Sequence, residues 1–251
     1  MFFKKKVLTS FAAILLAVSV FVLTAGIEWL LLRKPQEKAG LDELYSLSVE
    51  DAVFAEEDEI IPLVEIDKES SMVSWNEEGD SVLMMTLHKY PDSYPDGSEV
   101  SLKWGEVWTV TEKEFIAWYK ENGDNVTDWS LRLNQLLGMP ADNGATHITA
   151  MWVKPDALLR PAYETDITKQ VTNGFDENNP ESDKYIQWFN NNIIHSYFDS
   201  AYPWTRLGYT YDWADNGKEY GLSEFLIQKD AEVKVEFTKT ISEFIAWTEK
   251  Q

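Results

Sequence analysis

Residues 72–88 read Met72-Val73-Ser74-Trp75-Asn76-Glu77-Glu78-Gly79-Asp80-Ser81-Val82-Leu83-Met84-Met85-Thr86-Leu87-His88. Two apolar-rich runs, Met72–Trp75 and Val82–His88, flank a polar cluster with a glycine. That pattern predicts a β-hairpin and therefore antiparallel pairing.

Toward the C-terminus, Tyr90 to Gly97 holds two prolines and a glycine and reads as a loop. Glu99 to Val110 reads as a strand. Thr111-x-x-Glu114 then predicts a helix opened by a capping box, in which hydroxyl and carboxylate satisfy orphan backbone donors. Asn122-Gly123 ends that helix. Asp128 caps a second one, Trp129–Leu137, stopped by Gly138 and Pro140. Thr146–Val153 reads as a strand, and Pro155 to Pro161 is rich in turn formers. Asn179-Pro180 combines a cap with a first-position proline. The helix it opens is expected to reach about Phe198, with Tyr185, Trp188, Phe189, Ile193 and Tyr197 at helical spacing. Leu207–Trp213 and Leu222–Ile227 predict a second hairpin around Asn216-Gly217. Glu232–Phe237 is a strand, and a last helix follows from Thr240. Glu114-Phe115-Ile116-Ala117-Trp118 recurs as Glu243-Phe244-Ile245-Ala246-Trp247. Two copies of one βα unit, or the shared logic of helix capping, would each produce this match.

Toward the N-terminus, residues 35–70 carry twelve acids and two lysines, interleaved with apolar residues. That mixture predicts an ordered edge of the domain with a short helix near 48–55, rather than a solvated charge run. Further back, Val7 to Ile27 gives 21 residues without a charge, preceded by Lys4, Lys5 and Lys6. About 20 apolar residues span a bilayer core. Residues 7–32 are therefore expected to be a transmembrane helix or uncleaved signal, with 1–6 cytoplasmic, 33–40 a linker and 41–251 an extracytoplasmic domain. Cleavage near Gly26 is the alternative. Leu23-Thr24-Ala25-Gly26 looks like a lipoprotein box, but Ile27 stands where the cysteine would be.

The chain has 251 residues, no cysteine and a net charge of −21. Its first 34 residues hold five basic and one acidic side chain, so the remainder carries −25. Nucleic acid is excluded as a partner, because a polyphosphate requires a basic surface. Disulfides and thiolate metal sites are excluded outright. The membrane, through 7–32, is the expected attachment, and an envelope glycan or protein is the partner class left open.

Candidate chemistry is sparse. There are three histidines, His88, His147 and His195, and no HExxH spacing. A joint site of His88 and His147 requires their strands to be neighbours with matching faces. The most unusual stretch is Tyr202-Pro203-Trp204-Thr205-Arg206-Leu207-Gly208-Tyr209-Thr210-Tyr211-Asp212-Trp213. A two-residue turn at Asn216-Gly217 sets Glu224 opposite Tyr209, and a three-residue loop sets it opposite Thr210 with Asp212 diagonal. Diagonal neighbours lie about 7–8 Å apart, which resembles the carboxyl separation of an inverting glycosidase. Asp212, Glu224, Arg206 and His147 are therefore the candidate catalytic set. The structural alternative has Arg206 pairing with Glu224 or Asp212 to fix the hairpin. No Gly-rich phosphate loop, nucleophile elbow or Ser-x-x-Lys pattern occurs. No cofactor or metal is expected.

The segments 202–213 and 221–227, with 132–140 and 151–155, resemble a set of bacterial exported proteins of undefined role. The resemblance covers roughly residues 60–240. It implies an envelope location and no site residues.

The expected fold is α+β, with a mixed, mostly antiparallel sheet and three to four helices beside the N-terminal segment. The expected function is a binding or interaction module of the bacterial envelope. The alternative is a hydrolase, acting on glycans or another substrate, that uses Asp212 and Glu224.

Overall fold

The computed structural model describes residues 40–175, 183–199 and 201–251. The apolar segment 7–32 and the Asn179-Pro180 helix start lie outside the described residues. Among the described residues no helix is long and apolar enough to cross a membrane.

Residues Leu41–Gln251 form one compact α+β unit. The elements run α1 (Leu41–Asp51), β1 (Val82–His88), β2 (Glu99–Ser101), β3 (Val107–Thr111), α2 (Glu112–Asn122) and α3 (Trp129–Leu136). They continue with β4 (His147–Val153), β5 (Leu158–Leu159), α4 (Asp183–Ile194), β6 (Tyr209–Tyr211) and β7 (Tyr220–Ser223). The last are β8 (Phe225–Ile227), β9 (Glu232–Thr240) and α5 (Ile241–Thr248). Seven strands make the main sheet in the order β2-β9-β4-β1-β3-β8-β5, and β6 with β7 forms a two-stranded ribbon. Every pairing within them is antiparallel.

Both faces of the main sheet are covered, which is why β1 is apolar at successive positions. Val82 and Met84 join one core, and Leu83 and Met85 join the other. On the second face α2 contributes Phe115, α3 Leu133 and Leu136, and α5 Phe244 and Ile245. On the first face irregular segments supply Val64, Ile66, Val73, Tyr94, Leu102 and Ile167. Each such large side chain, fully buried, stabilises by about 1.5–3 kcal/mol relative to exposure.

The predicted hairpin at 72–88 exists but is short. Asn76 Oδ1 accepts from the Asp80 and Ser81 amides, closing the turn. Pairing then stops after the single bridge Trp75–Val82, because β1 bonds β4 and β3 instead. The predicted strand 99–110 is two strands, β2 at one edge and β3 in the interior, separated by the loop at 103–106. Among the described residues five helices form rather than the expected three to four, and the short helix expected near 48–55 lies at Leu41–Asp51.

The two EFIAW segments diverge at their acids. Glu243 completes a capping box with Thr240. Glu114 makes no such box with Thr111. Its carboxylate accepts from the Ser223 amide and hydroxyl at 2.9 and 2.8 Å, because α2 starts beneath β7 and buries that position. Phe115 and Phe244 meet in one core with ring centroids 5.1 Å apart.

Gly208, whose φ is +84°, is closely packed by side chains. A Cβ there would lie 2.7 Å from Arg160 Cδ and 2.9 Å from Leu63 Cδ1. Arg160 is wholly buried and cannot swing aside. Gly208→Ala is expected to cost about 2–4 kcal/mol from overpacking and left-handed strain. Thermal unfolding should show a drop in Tm of roughly 5–15 °C. An unchanged Tm would mean that this junction relaxes freely.

Candidate functional site

The site arises where the main sheet opens. β1 pairs with β3 only at Met84–Thr111 and Met85–Val110. On its other edge β1 stays paired with β4 along all seven residues. Beyond Met85 the backbones of β1 and β3 part, and a cavity of about 440 Å³ fills the gap. Its remaining walls come from the end of α3, the end of α4 with the π turn after it, the 202–204 segment and β6. That volume suits a small organic ligand.

The walls are aromatic. Tyr94, Trp104, Trp108, Trp204, Tyr209 and Tyr211 all line the cavity. Trp108 and Trp204 meet edge to face at 6.2 Å, and Tyr94 and Trp104 do so at 5.7 Å. Trp204 is fixed by its indole N–H, which donates to the Pro161 carbonyl at 2.9 Å. Trp104 remains 55% exposed and Tyr90 61% exposed, which marks the mouth.

Glu224 is the one acid enclosed in this cavity. It is the single residue between β7 and β8, where the chain leaves the ribbon for the main sheet. Its neighbours aim it. Ser223 is turned to Glu114, and Phe225 packs in the first-face core with the Arg160 guanidinium 4.7 Å from its ring centroid. Alternation sends the side chain between them the other way. The Glu224 amide donates to Gly208 O at 2.9 Å, but its carboxyl has no hydrogen-bond or ion-pair partner among the described residues. The residue is half-buried and lines the cavity. Burial alone pushes its pKa up to about 8. Asn192 presents a second open polar group, since its buried Nδ2 has no acceptor among the described residues.

The other expected site residues lie apart from Glu224. The ribbon pairs Tyr209 with Ser223 and, across an irregularity, Tyr211 with Tyr220. Neither anticipated register forms, and Glu224 falls beside Gly208 instead. Asp212 is buried, lines a separate surface hollow, and is gripped by both guanidinium nitrogens of Arg132 at 2.9 and 2.6 Å. Arg206 bonds neither acid. It donates to the Ala52 and Val53 carbonyls beyond the end of α1, and to the Tyr163 hydroxyl. Orphan carbonyls at a helix C-terminus attract such a cation.

His147 does stand directly opposite His88 in the β1–β4 ladder, with rings 6.4 Å apart. Of these two, His88 reaches the cavity wall and His147 does not line it. His88 Nδ1 accepts from the Tyr90 amide, so Nε2 carries the proton and donates to Thr149 Oγ1 at 2.7 Å. Thr149 must then donate to Thr238, whose hydroxyl donates to the Tyr94 carbonyl. Burial, then the nearby His147, lowers the His88 pKa to about 4, so this ring stays neutral. Among the described residues no cluster of three or more His, Asp or Glu is arranged to hold a metal ion.

Two stability measurements separate the acids. Glu224 has a folded-state pKa near 8, above its ordinary value of 4.5, so the folded state holds a proton that the unfolded chain releases. That contribution is complete below pH 4.5 and is lost as pH rises toward 8. Glu224→Gln is expected to match the wild type near pH 4.5 and to be about 1–3 kcal/mol more stable at pH 8, by guanidinium denaturation. A constant offset across that range would refute an enclosed, protonated Glu224. Arg132→Met leaves Asp212 buried and unpaired and is expected to cost about 3 kcal/mol. The same variant should leave the Glu224 pH response intact.

Compared with family models, with curated proteins and with solved structures, the chain finds no match.

Proposed function

We propose that the chain is an extracytoplasmic small-molecule-binding domain of the bacterial envelope, held at the membrane through residues 7–32, with its site in the cavity between β1 and β3. One observation carries the reading. An enclosed carboxyl, Glu224, opens into an aromatic cavity of ligand size and has no internal partner among the described residues. A buried polar group without a partner costs about 1–3 kcal/mol, and a bound molecule with a complementary group recovers that cost. The basic flank, the long apolar run and the resemblance to exported proteins support the location. A hydrolase built on Asp212 and Glu224 draws no support, since the two acids line separate hollows and Arg132 occupies Asp212.

Calorimetric titration of the full chain tests the proposal. The probes are phenol, indole, cellobiose and simple amines. At least one class is expected to bind saturably at one site, and Met139→Trp, which fills the cavity from its wall, should weaken that binding at least tenfold. Unchanged binding in a Met139→Trp variant that keeps its Tm, or no binding by any class, sinks the reading.

A further inference from the structure

We infer that the ligand of this cavity is an organic cation, an ammonium group carried beside a neutral hydrogen-bond acceptor. The inference rests on the binding reading above and adds the chemical class of the ligand.

Charge is the first ground. Among the described residues the walls hold two acids, Glu224 and Glu106, and no lysine or arginine. His88 adds no charge at neutral pH, because its hydrogen-bond chain holds it as the neutral tautomer. An anionic ligand therefore finds two carboxyls and no fixed cation. The second ground is the ring faces. Aromatic rings carry negative charge on their faces and attract ammonium ions, more strongly when water is excluded. Six such rings and one enclosed carboxyl in one cavity form the pairing that a desolvated cation requires.

The third ground is how the remaining polar groups are used. Thr109 Oγ1 is spent on the Phe225 carbonyl, and Thr210 Oγ1 on the Leu136 carbonyl and the Leu222 amide. In addition to Glu224 the cavity presents the Asn192 amide donor, which has no acceptor among the described residues and calls for one acceptor on the ligand. The chain's net charge of −21 also raises the local concentration of cations.

The proton balance follows directly. Below pH 8 the free cavity holds Glu224 mainly as the acid. A cation stabilises the carboxylate, so the O–H proton leaves to solvent as the ligand enters. The other ionisable groups on the walls are Glu106, His88 and His195, with the hydroxyls of Tyr90, Tyr94, Tyr202, Tyr209 and Tyr211. The Glu224→Gln variant separates their contribution from that of Glu224.

The test uses the full chain and two probes of matched shape, choline and its uncharged carbon isostere 3,3-dimethylbutan-1-ol. Calorimetry in buffers of different ionisation heat reads affinity and proton release together. Choline is expected to bind at least tenfold tighter than the isostere. It should release close to one proton at pH 6.5 and tighten as pH rises toward 8. Glu224→Gln should abolish the proton release and remove most of the preference for choline. Equal or tighter binding of the isostere, or binding without proton release, overturns the cation assignment and leaves a neutral-ligand cavity. If neither probe binds, the cation assignment falls. Failure of choline and its isostere alone leaves the broader binding reading standing, and that reading falls if phenol, indole, cellobiose and simple amines also fail.

Discussion

Two backbone pairs, Met84 with Thr111 and Met85 with Val110, are the whole junction between β1 and β3. Everything of functional interest depends on where that ladder stops. A sheet that continued to His88 would place Val107–Thr109 against Thr86–His88 and leave no room between them. The parting is stabilised from both sides. β1 is committed to β4 for its full length, and β3 is committed to β8 through Val107, Trp108 and Thr109. Each strand keeps its ladder on its outer edge, so the opening costs only the few inner pairs. Aromatic side chains then occupy the margins of the gap, where large rings cover backbone more fully than aliphatic groups do.

A buried polar network holds the residues around Glu224. Ser223 Oγ accepts from the Val64 amide and donates to Glu114, so three distant segments meet at one hydroxyl. Arg160 lies close by, fully buried, donating to the Val64 and Ile167 carbonyls. Burial lowers its pKa to about 10, opposed by the attraction of Glu114. Burial also raises the Glu114 pKa, with the Ser223 hydrogen bonds acting against it. A charge taken from water is tolerable only when paired or well hydrogen-bonded. Glu114 satisfies that rule through Ser223, and Glu224 does not. The contrast between these two acids, 110 positions apart in one chain, is that one is satisfied inside the protein and the other opens onto the cavity.

Much of the architecture was legible in the residues themselves. The Asn76–Ser81 turn, the Asp128 cap and the Thr240–Glu243 box are local chemistry, and each forms as its residues dictate. Register was not legible. The ribbon slips between Tyr209 and Tyr211, which no turn-length argument contains. Partners from afar were also hidden. Arg132 reaches Asp212 across 80 positions, and Ser223 takes Glu114 from the cap it was expected to form. Glu224 stood out as an acid in an aromatic hairpin, but its setting comes from segments spread between residues 85 and 224. No spacing rule links such walls, because each was built by its own local pattern.

The one-residue junction at Glu224 carries a consequence for how this protein can evolve. Side chains alternate along a strand with a period of two. Adding or deleting one residue between Ser223 and Phe225 would exchange the faces of Phe225, Leu226 and Ile227, driving Leu226 into the core now filled by its neighbours. Substitution at this position leaves that parity intact. The identity of residue 224 is therefore free to change without shifting the sheet, while the length of the junction is frozen by the sheet on its far side.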